Sequence, residues 1–306
     1  MYDRSQNAYY AEELAGFLSK ELVGENSIIY EPRSVDSVRD NSIIFVDNVW
    51  CKDFDYQRLK RFSDVLVVTN EDIRKKTETS FILTSEPRLD YIRLLNRFFL
   101  RKPSSEIHAT AVVDKKAVIG KNVSIGAHTY IGPEVRIGDD TAVHQNVVIS
   151  GKVGIGKRCV IKANSTIGSE GFSFIFDKNH LEHFPQIGGI VIGDDVWIGA
   201  NSTVERAALD DTVIEEGVKV DDLVQIGHNA RIGRFSQITA GAVICGRVVL
   251  GERCWVAPKA CIDNAVVVGK NSLIGMGAVV LKDVPEGMVV AGVPAKVLRK
   301  NEVKKG

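Results

Sequence analysis

The stretch IHATAVVDKKAVIGKNVSIGAH, residues 107–128, places an aliphatic residue at every sixth position: Ile107, Val113, Ile119 and Ile125. An α-helix would repeat its apolar positions about every 3.6 residues and a single strand every second residue, so neither element explains an interval of six. A short strand followed by a tight turn, repeated many times, does explain it. The residue after the aliphatic is often Gly, as in IGKN and IGAH, which suits the corners of such a repeat.

The same interval continues through most of the chain, and it is the hexapeptide signature of a parallel β-helix. Three hexads form one triangular coil, and the aliphatic side chains of successive coils stack into one core. A left-handed helix is implied by similarity to known hexapeptide proteins. An ordinary β-sandwich with chance spacing is excluded by the length over which the register holds. The repeated positions are Ile107, Val113, Ile119, Ile125, Ile131, Ile137, Val143, Ile149, Ile155, Ile161, Ile167, then Ile192, Ile198, Val204, and after a slip of four residues Ile214, Val220, Ile226, Ile232, Ile238, Ile244, Leu250, Val256, Ile262, Val268, Ile274 and Val280.

The segments before and after the repeat predict the domain organisation. Residues 1–103 predict a small α/β domain, because they contain two amphipathic helical patterns and two strand-like runs. We expect the β-helix over residues 104–284, with an insertion at 168–189, and a short C-terminal tail over 285–306. The patterns of the first domain are AYYAEELAGFLSKEL (8–22), NSIIFVDN (41–48), DVLVVTN (64–70) and EPRLDYIRLLNRFFL (86–100).

The composition argues against several classes of protein. The 306 residues carry 39 Lys plus Arg and 39 Asp plus Glu, so the basic excess that non-specific nucleic-acid binding needs is missing. No apolar run reaches membrane-spanning length and the N-terminus shows no signal-peptide pattern, so we expect a cytoplasmic protein without a transmembrane segment. The five cysteines form no CxxC pair and predict neither a disulfide framework nor a zinc site.

The largest interruption of the repeat is GSEGFSFIFDKNHLEHFPQIGG, residues 168–189, which carries four phenylalanines and two histidines. Long loops inside a regular solenoid are usually functional. We interpret this one as a loop that closes over a ligand, with Phe172, His183 and Gln186 as substrate-binding residues. A clamp packed on the face of the solenoid is the alternative.

A histidine occupies an unusual place in DDLVQIGHNARIG, residues 221–233. Residues one coil apart are 18 apart in sequence, so His228, Gly246, Asn264 and Lys282 form one column. Gly246 leaves room beside the imidazole and can present its backbone N–H there, which is the arrangement of a general base beside an oxyanion donor. On spacing alone, a corner histidine without a function stays an alternative.

Several stretches resemble the UDP-3-O-(3-hydroxyacyl)glucosamine N-acyltransferases, a family of hexapeptide acyltransferases, over nearly the whole chain. The most specific are HFPQIGGIVIGDDVWIGANSTVERAALDDT and VDDLVQIGHNARIG. The resemblance implies that His228 is the catalytic histidine and that the Gly246 N–H is the oxyanion donor. It also implies that Phe45 and Asn48 hold the uracil, that the 168–189 loop covers the sugar, and that the protein is a homotrimer.

Some positions depart from the family pattern. Cys51 stands where the family has Tyr, with Trp50 beside it, and Asp222 stands where the family has Asn. The family's second active-site His falls at about Ala265, so this chain has no residue for that role. The stretch LIGMGAVVLKDVPEGMVVAGVPAKVLRK (273–300) resembles acetyl-CoA-dependent hexapeptide enzymes more than the helical tail that accompanies acyl carrier protein use. Both acyl-CoA and acyl carrier protein therefore stay open as the donor.

These patterns predict an N-acyltransferase that moves an acyl group from a thioester to the amine of a UDP- or dTDP-linked amino sugar, in lipid A or another surface-glycan pathway. We expect Asp221 or Asp222 to orient the sugar, and Asn264 and Lys282 to bind the donor. No metal and no permanently bound cofactor are needed. A short-chain acetyl-CoA-dependent sugar N-acetyltransferase is an alternative function.

Three further alternatives are weaker. A β-helix zinc enzyme of the γ-carbonic anhydrase type usually includes a His-x4-His pair, which this chain does not have. A sugar nucleotidyltransferase needs a Gly-rich phosphate loop and a longer N-terminal domain. A non-enzymatic assembly scaffold would make His228 dispensable and would bind no nucleotide.

Overall fold

The computed structural model describes residues 8–100 and 105–302, and the chain divides into two compact units, Met1–Lys102 and Pro103–Gly306. The first is a five-stranded α/β unit with the strand order Leu22–Val23, Ser80–Leu83, Leu66–Thr69, Ser42–Val46 and Glu31–Pro32, in which Leu22–Val23 is the antiparallel edge strand. A further antiparallel pair joins Tyr9–Tyr10 to Ile28–Ile29. In chain order the elements are β1 Tyr9–Tyr10, α1 Ala11–Phe17, β2 Leu22–Val23, β3 Ile28–Ile29, β4 Glu31–Pro32, β5 Ser42–Val46, a 3₁₀-helix Tyr56–Arg61, β6 Leu66–Thr69, β7 Ser80–Leu83, α2 Pro87–Leu94 and a π-helical turn Leu95–Phe99.

Both faces of this sheet are buried, because alternate residues of each strand point to opposite sides. In β5, Ile43 packs with α1 and α2 on one face, while Ile44 packs with the 3₁₀-helix on the other. The first helix is shorter than its pattern predicts. Ser19 adopts a left-handed φ of 55°, which ends the helix, and Leu22–Val23 then pairs with β7 instead of extending α1.

The second unit is a parallel β-solenoid of three sheets, which confirms the predicted fold class of a mainly β protein with a hexapeptide-repeat β-helix. We call the sheets A, B and C in the order in which the chain visits them within a coil. Sheet A consists of Val112–Val113, Tyr130–Ile131, Val148–Ile149, Thr166–Ser169, Thr203–Glu205, Gln225–Ile226, Val243–Ile244, Cys261–Ile262 and Val279–Val280. Sheet B consists of Val118–Ile119, Val135–Ile137, Val153–Ile155, Gly189–Ile192, Asp211–Ile214, Arg231–Ile232, Val249–Leu250 and Val267–Val268. Sheet C consists of Ser124–Ile125, Ala142–Val143, Val160–Ile161, Trp197–Ile198, Lys219–Val220, Gln237–Ile238, Trp255–Val256, Leu273–Ile274, Met288–Ala291 and Lys296–Lys300.

The repeated aliphatic residues form the core of the solenoid, with Ile131, Ile161 and Ile226 fully buried among many others. The corners between sheets often contain one residue with a positive φ, such as Asn146 at 57° or Asn229 at 60°. Asn tolerates this left-handed backbone better than most residues, which explains its frequency at the corners.

Two successive coils are longer than the regular 18 residues. Val153 pairs with Ile190, so the coil between them spans 37 residues and contains the 168–189 insertion. Thr203 pairs with Gln225, so the next coil spans 22 residues. The insertion itself contains a β-hairpin formed by Phe174–Asp177 and His180–His183.

The end of the solenoid is also irregular. Val268 pairs with Val284, 16 residues later, so the last coil is two residues short. The segment expected to be a tail then continues sheet C, because Val289 pairs in parallel with Leu273 and with Arg299 in an antiparallel hairpin. Within the described ranges, no helix is long and apolar enough to span a membrane.

Candidate active site

Both lengthened coils open at the same edge of the solenoid, where the chain passes from sheet A to sheet B. We call this the A–B edge. The insertion leaves after Thr166–Ser169 and returns at Gly189–Ile192, and the four extra residues lie between Glu205 and Asp211. The next corner along the same edge holds His228, between Gln225–Ile226 and Arg231–Ile232. The two largest irregularities of the repeat and the predicted catalytic histidine are therefore neighbours.

The imidazole of His228 lies between two glycines. A Cβ added to Gly246 would come within 2.7 Å of His228 Nε2, and a Cβ added to Gly171 within 2.7 Å of His228 Cδ2. Gly246 belongs to the next coil, as the 18-residue column predicts, and Gly171 belongs to the insertion. The imidazole thus fits only because neither neighbour has a side chain.

Two polar contacts orient His228. Its backbone N–H donates to Glu205 Oε2 at 3.1 Å, and its Nδ1 is 3.1 Å from Asn229 Oδ1. Glu205 is further held by Gln225 Nε2 at 3.1 Å from its other oxygen. The ring is therefore anchored through Nδ1, and Nε2 is the nitrogen that faces Gly246.

The backbone N–H of Gly246 has no acceptor within the described ranges, 8–100 and 105–302. At the matching place one coil earlier, the N–H of His228 is satisfied by Glu205. An unpartnered N–H beside an imidazole nitrogen is suited to stabilise a negatively charged oxygen.

The thiol nearest to Gly246 along the chain is protonated at neutral pH. Burial and the neighbouring Cys261 thiol raise the pKa of Cys245 to about 11. A protonated thiol is a poor nucleophile, so the site favours direct acyl transfer over an acyl-cysteine intermediate.

The insertion carries an aromatic cluster that begins at Phe172, the residue after Gly171. The rings of Phe172 and Phe174 are 5.0 Å apart, and Phe174 is 5.0 Å from the ring of His183. Phe172 is 86% exposed, which is unusual for a phenylalanine that contacts other aromatic rings. Such a surface can cover an apolar or ring-shaped part of a ligand.

An ion-pair cluster ties the insertion to the solenoid. The carboxylate of Glu170 accepts a hydrogen bond from Arg206, and its second oxygen is 3.7 Å from His183 Nε2. Arg206 also donates to the Gly168 carbonyl at 3.4 Å. Sequence reasoning did not identify Glu170, Arg206, Glu205 or Asn229, although the slip of four residues after Glu205 marked their position.

Gln186, predicted to bind substrate, is only 1% exposed. Its Nε2 donates to the Phe184 carbonyl at 3.3 Å, and its Oε1 has no partner among the described residues. It lies on the return segment of the insertion, where Ile187 N–H donates to the Ala208 carbonyl at 2.9 Å.

Asp221 and Asp222 lie at a different edge, between sheets C and A. Asp222 Oδ1 accepts hydrogen bonds from Lys162 Nζ at 2.8 Å and from Ala200 N–H at 2.7 Å. The Lys162 ammonium, with the Ala200 N–H, holds the pKa of Asp222 below its usual range. Asp221 is exposed and accepts the Asp222 N–H at 2.8 Å. Within one protomer these carboxylates are not brought to His228.

The predicted donor residues occupy the upper part of the His228 column. Asn264 Oδ1 accepts from Arg247 Nε at 3.2 Å, and Asn264 N–H donates to Asp263 at 2.8 Å. Lys282 is exposed and lies in the turn that is two residues short, between Val280 and Val284. The strict 18-residue spacing therefore ends just before Lys282.

In the N-terminal unit, Phe45 is half-buried and its ring lies 5.1 Å from that of Tyr91, while Asn48 is exposed. This unit has one cavity of about 490 Å³ and a second one of about 330 Å³, among others. The second cavity is lined by Trp50, whose ring lies 4.8 Å from the Arg88 guanidinium. Neither Phe45 nor Asn48 is among the described residues that line this second cavity.

Comparison with known proteins finds hexapeptide-repeat transferases. The family model "Bacterial transferase hexapeptide (six repeats)" matches residues 211–246, and "Hexapeptide repeat of succinyl-transferase" matches residues 116–151 and 189–221. In solved structures, the UDP-N-acetylglucosamine acyltransferase of Francisella novicida is similar, with a TM-score of 0.58 and 27% identity over 64% of this chain and 71% of that one.

Two curated relatives carry the same name, UDP-3-O-acylglucosamine N-acyltransferase. The protein of Hahella chejuensis is 44% identical over 116 residues, 38% of this chain and 33% of that protein. The protein of Coxiella burnetii is 31% identical over 294 residues, which cover 89% of this chain and 84% of the relative. On the strength of that near full-length similarity, the chain belongs to the family of UDP-3-O-acylglucosamine N-acyltransferases.

Proposed function

We propose that this acyltransferase moves an acyl group from a thioester to the amine of a UDP-3-O-acylglucosamine, the sugar nucleotide in the name of its relatives, and so acts in lipid A biosynthesis. The observation that carries the proposal is that His228 Nε2 faces Gly246, whose N–H has no acceptor among the described residues, while Gly171 of the insertion lies on the other side of the imidazole. Membership of the family favours this function over a short-chain sugar N-acetyltransferase.

The reaction needs one base and one oxyanion donor. The amine nitrogen attacks the thioester carbonyl carbon and forms the C–N bond, while the carbonyl π electrons move to oxygen. The Gly246 N–H stabilises that oxyanion, and His228 Nε2 takes a proton from the nitrogen. When the oxyanion collapses, the C–S bond breaks and the sulfur receives the proton from His228. The products are an amide and a thiol, so atoms and charges balance.

We infer that the insertion holds the sugar. Phe172, Phe174 and His183 form its aromatic surface. Gln186 Oε1 is buried without a partner among the described residues, so it could accept a hydrogen bond from a sugar hydroxyl only after the return segment of the insertion moves. The 3-O-acyl chain of such a substrate is apolar, so exposed phenylalanine rings suit it better than a polar surface would.

The nucleotide is assigned to the N-terminal unit. Phe45 and Asn48 are the proposed contacts to the base, with UDP preferred over dTDP because of the relatives' name. Phe45 is half-buried and packs on Tyr91, so part of its ring stays accessible to a base. Trp50 is a second aromatic side chain in this unit and is 69% exposed.

The donor is an acyl thioester, and we assign Asn264 and Lys282 to its phosphopantetheine arm. That arm is common to coenzyme A and to acyl carrier protein. The exposed ammonium of Lys282 and the basic strand Lys296–Lys300 lie at the same end of the solenoid and suit its phosphate.

A direct assay tests the function. Purified protein is incubated with UDP-3-O-acylglucosamine and either acyl-CoA or acyl carrier protein thioester, and the N-acylated sugar nucleotide is measured by mass spectrometry. The proposal expects product with at least one donor and its loss in His228→Ala. A protein that binds neither the sugar nucleotide nor a thioester would instead be a scaffold.

A further inference from the structure

We propose that Asn229 is a positioning residue that sets the tautomer of His228, and that the four extra residues of the preceding coil supply the group that fixes Asn229. This inference rests on the proposed function, because it explains how His228 is prepared to act as a base.

The orientation of the Asn229 amide is determined by a backbone donor. Asn229 Oδ1 accepts the Ala208 N–H at 3.1 Å, and the same oxygen is 3.1 Å from His228 Nδ1. If the amide were turned by half a rotation, its NH₂ group would face the Ala208 N–H, and two donors would oppose each other. The oxygen therefore faces both partners.

This orientation decides which imidazole nitrogen holds the proton. An amide oxygen can only accept, so a neutral His228 must donate from Nδ1 to Asn229. Its lone pair is then on Nε2, the nitrogen that faces Gly246. The opposite tautomer, which histidine prefers in water, would present an N–H to the attacking amine and could not accept its proton.

The 22-residue coil before His228 makes the hydrogen bond between the Ala208 N–H and Asn229 Oδ1 possible. At the next corners of the same edge, the N–H groups of Arg247 and Ala265 donate to the carbonyls of His228 and Gly246, one coil earlier, at 2.8 and 2.9 Å. The N–H of Asn229 donates instead to Thr212 Oγ1 at 2.8 Å. The irregular path of the preceding coil thus replaces the regular corner contact and leaves the Ala208 N–H for the Asn229 side chain.

The same backbone also connects the imidazole to the insertion. The Ala208 carbonyl accepts a hydrogen bond from the Ile187 N–H, and the Ala208 N–H donates to Asn229 Oδ1. The charged groups nearest to this arrangement are Glu205, which accepts the His228 backbone N–H, and the Glu170, Arg206 and His183 cluster. All of these stay unchanged in the test below.

The test compares Asn229→Ala and Asn229→Asp with the control Asn146→Ala. Asn146 has a similar left-handed φ of 57° but lies at the C–A edge, three coils before the corner that holds Asp221, so its variant carries the same backbone cost at a corner away from both His228 and Asp221. Alanine is tolerated at this corner position, because Ala265 occupies it two coils later with a φ of 60°. The measurements are steady-state kinetics against pH and ¹⁵N NMR of the histidine ring nitrogens, with the His228 signals assigned by their loss in His228→Gln.

In the wild type, the neutral His228 is expected to be protonated at Nδ1. Asn229→Ala should shift it toward the Nε2–H tautomer and lower kcat by about tenfold to a hundredfold, part of the effect of a positioned base, while KM for the sugar stays the same. Asn229→Asp should keep the Nδ1–H tautomer. Its carboxylate favours the protonated imidazole, so the acid limb of kcat/KM should move to higher pH.

A wild-type His228 protonated at Nε2, or an Asn229→Ala enzyme that behaves like Asn146→Ala, would overturn the inference. The proposed function would survive that result as long as His228→Ala is inactive. Conversely, an active His228→Ala enzyme would refute the base assignment, whatever the NMR spectra show of the tautomer.

Discussion

At the residue scale, the arrangement around His228 depends on two glycines, Gly171 and Gly246, and on the side-chain amide of Asn229, which the Ala208 N–H holds in one orientation. The spacing of 18 predicted that Gly246 would lie beside His228, because both follow buried isoleucines in regular coils. Gly171 could not be predicted in this way, since it lies in an insertion that has no repeat to place it. The role of Asn229 was equally hidden, because its partner Ala208 lies in the coil that departs from the period.

His228→Ala is expected to lower kcat by at least about a hundredfold, the usual contribution of a positioned general base. The side chain lies at a corner outside the aliphatic core, so the unfolding temperature should change little. His144→Ala is the matched control, because His144 follows a buried valine at a corner of the C–A edge. Equal losses of turnover in both variants would mean that these histidines serve only the fold.

Gly246→Ala tests the space beside the imidazole. The added methyl would stand 2.7 Å from His228 Nε2 and would occupy the place of the reacting nitrogen. We expect a loss of kcat of about a hundredfold, similar to removal of an oxyanion donor. Gly154→Ala is the control, because a Cβ there meets nothing within 4 Å. Comparable kinetics of the two variants would contradict the assigned role of Gly246.

At the element scale, the insertion contacts the solenoid near both of its ends, through the Glu170–Arg206 ion pair and through the Ile187 N–H on the Ala208 carbonyl. Its length and aromatic content predicted a loop that covers a ligand. The sequence did not predict its hairpin or its Glu170–Arg206 ion pair. Those two residues are 36 apart in sequence and meet only because one coil is lengthened. The six-residue period of the sequence cannot predict a contact between two residues that lie outside the period.

Glu170→Gln should loosen the insertion. The pair is partly exposed, so the expected effect is modest, with KM for the sugar nucleotide raised about two- to fivefold and faster hydrogen exchange in residues 170–187. Arg158→Met is the control, because Arg158 pairs with Asp194 and Asp195 on the solenoid surface away from the A–B edge. Unchanged exchange in Glu170→Gln would show that the ion pair does not fasten the loop.

The proposed donor path is also an element-scale feature, because it follows one column of corners. Lys282→Glu should raise KM about tenfold for coenzyme A and carrier-protein donors alike, because it would reverse the charge that we assign to their shared phosphate. Sugar affinity should not change. Lys115→Glu is the control, because Lys115 also lies two residues after an aliphatic at the A–B edge, in the first coil. Normal donor kinetics in Lys282→Glu would remove this residue from the donor path.

At the scale of the whole molecule, much of the solenoid core was predictable, because the repeated aliphatic residues from Ile125 onward are buried. The first coil departs from this, since Ile107 is exposed and Val113 and Ile119 are only partly buried. The ends of the repeat were less predictable. Sheet C gains a parallel strand at Met288–Ala291 and an antiparallel one at Lys296–Lys300, where the sequence predicts a tail. The period is lost there because the last coil is two residues short.

The separation of Asp221 from His228 predicts that several copies of the chain assemble. One protomer places them at different edges, so a site that uses both needs two copies of the chain. A cyclic trimer joins different surfaces of neighbouring copies and can bring a C–A edge to an A–B edge at three equivalent places. Light scattering should therefore give three times 33.6 kDa.

Complementation between inactive variants tests the shared site itself. His228→Ala and Asp221→Asn should each be inactive alone, the latter because the carboxylate no longer orients the sugar. When the two are unfolded and refolded together in equal amounts, about a quarter of the interfaces would join an intact His228 to an intact Asp221 of the neighbouring copy, and about a quarter of the wild-type activity should return. If both residues acted within one copy, mixing would restore nothing. A monomer in light scattering would contradict the shared site outright, because no interface would exist to bring the two edges together.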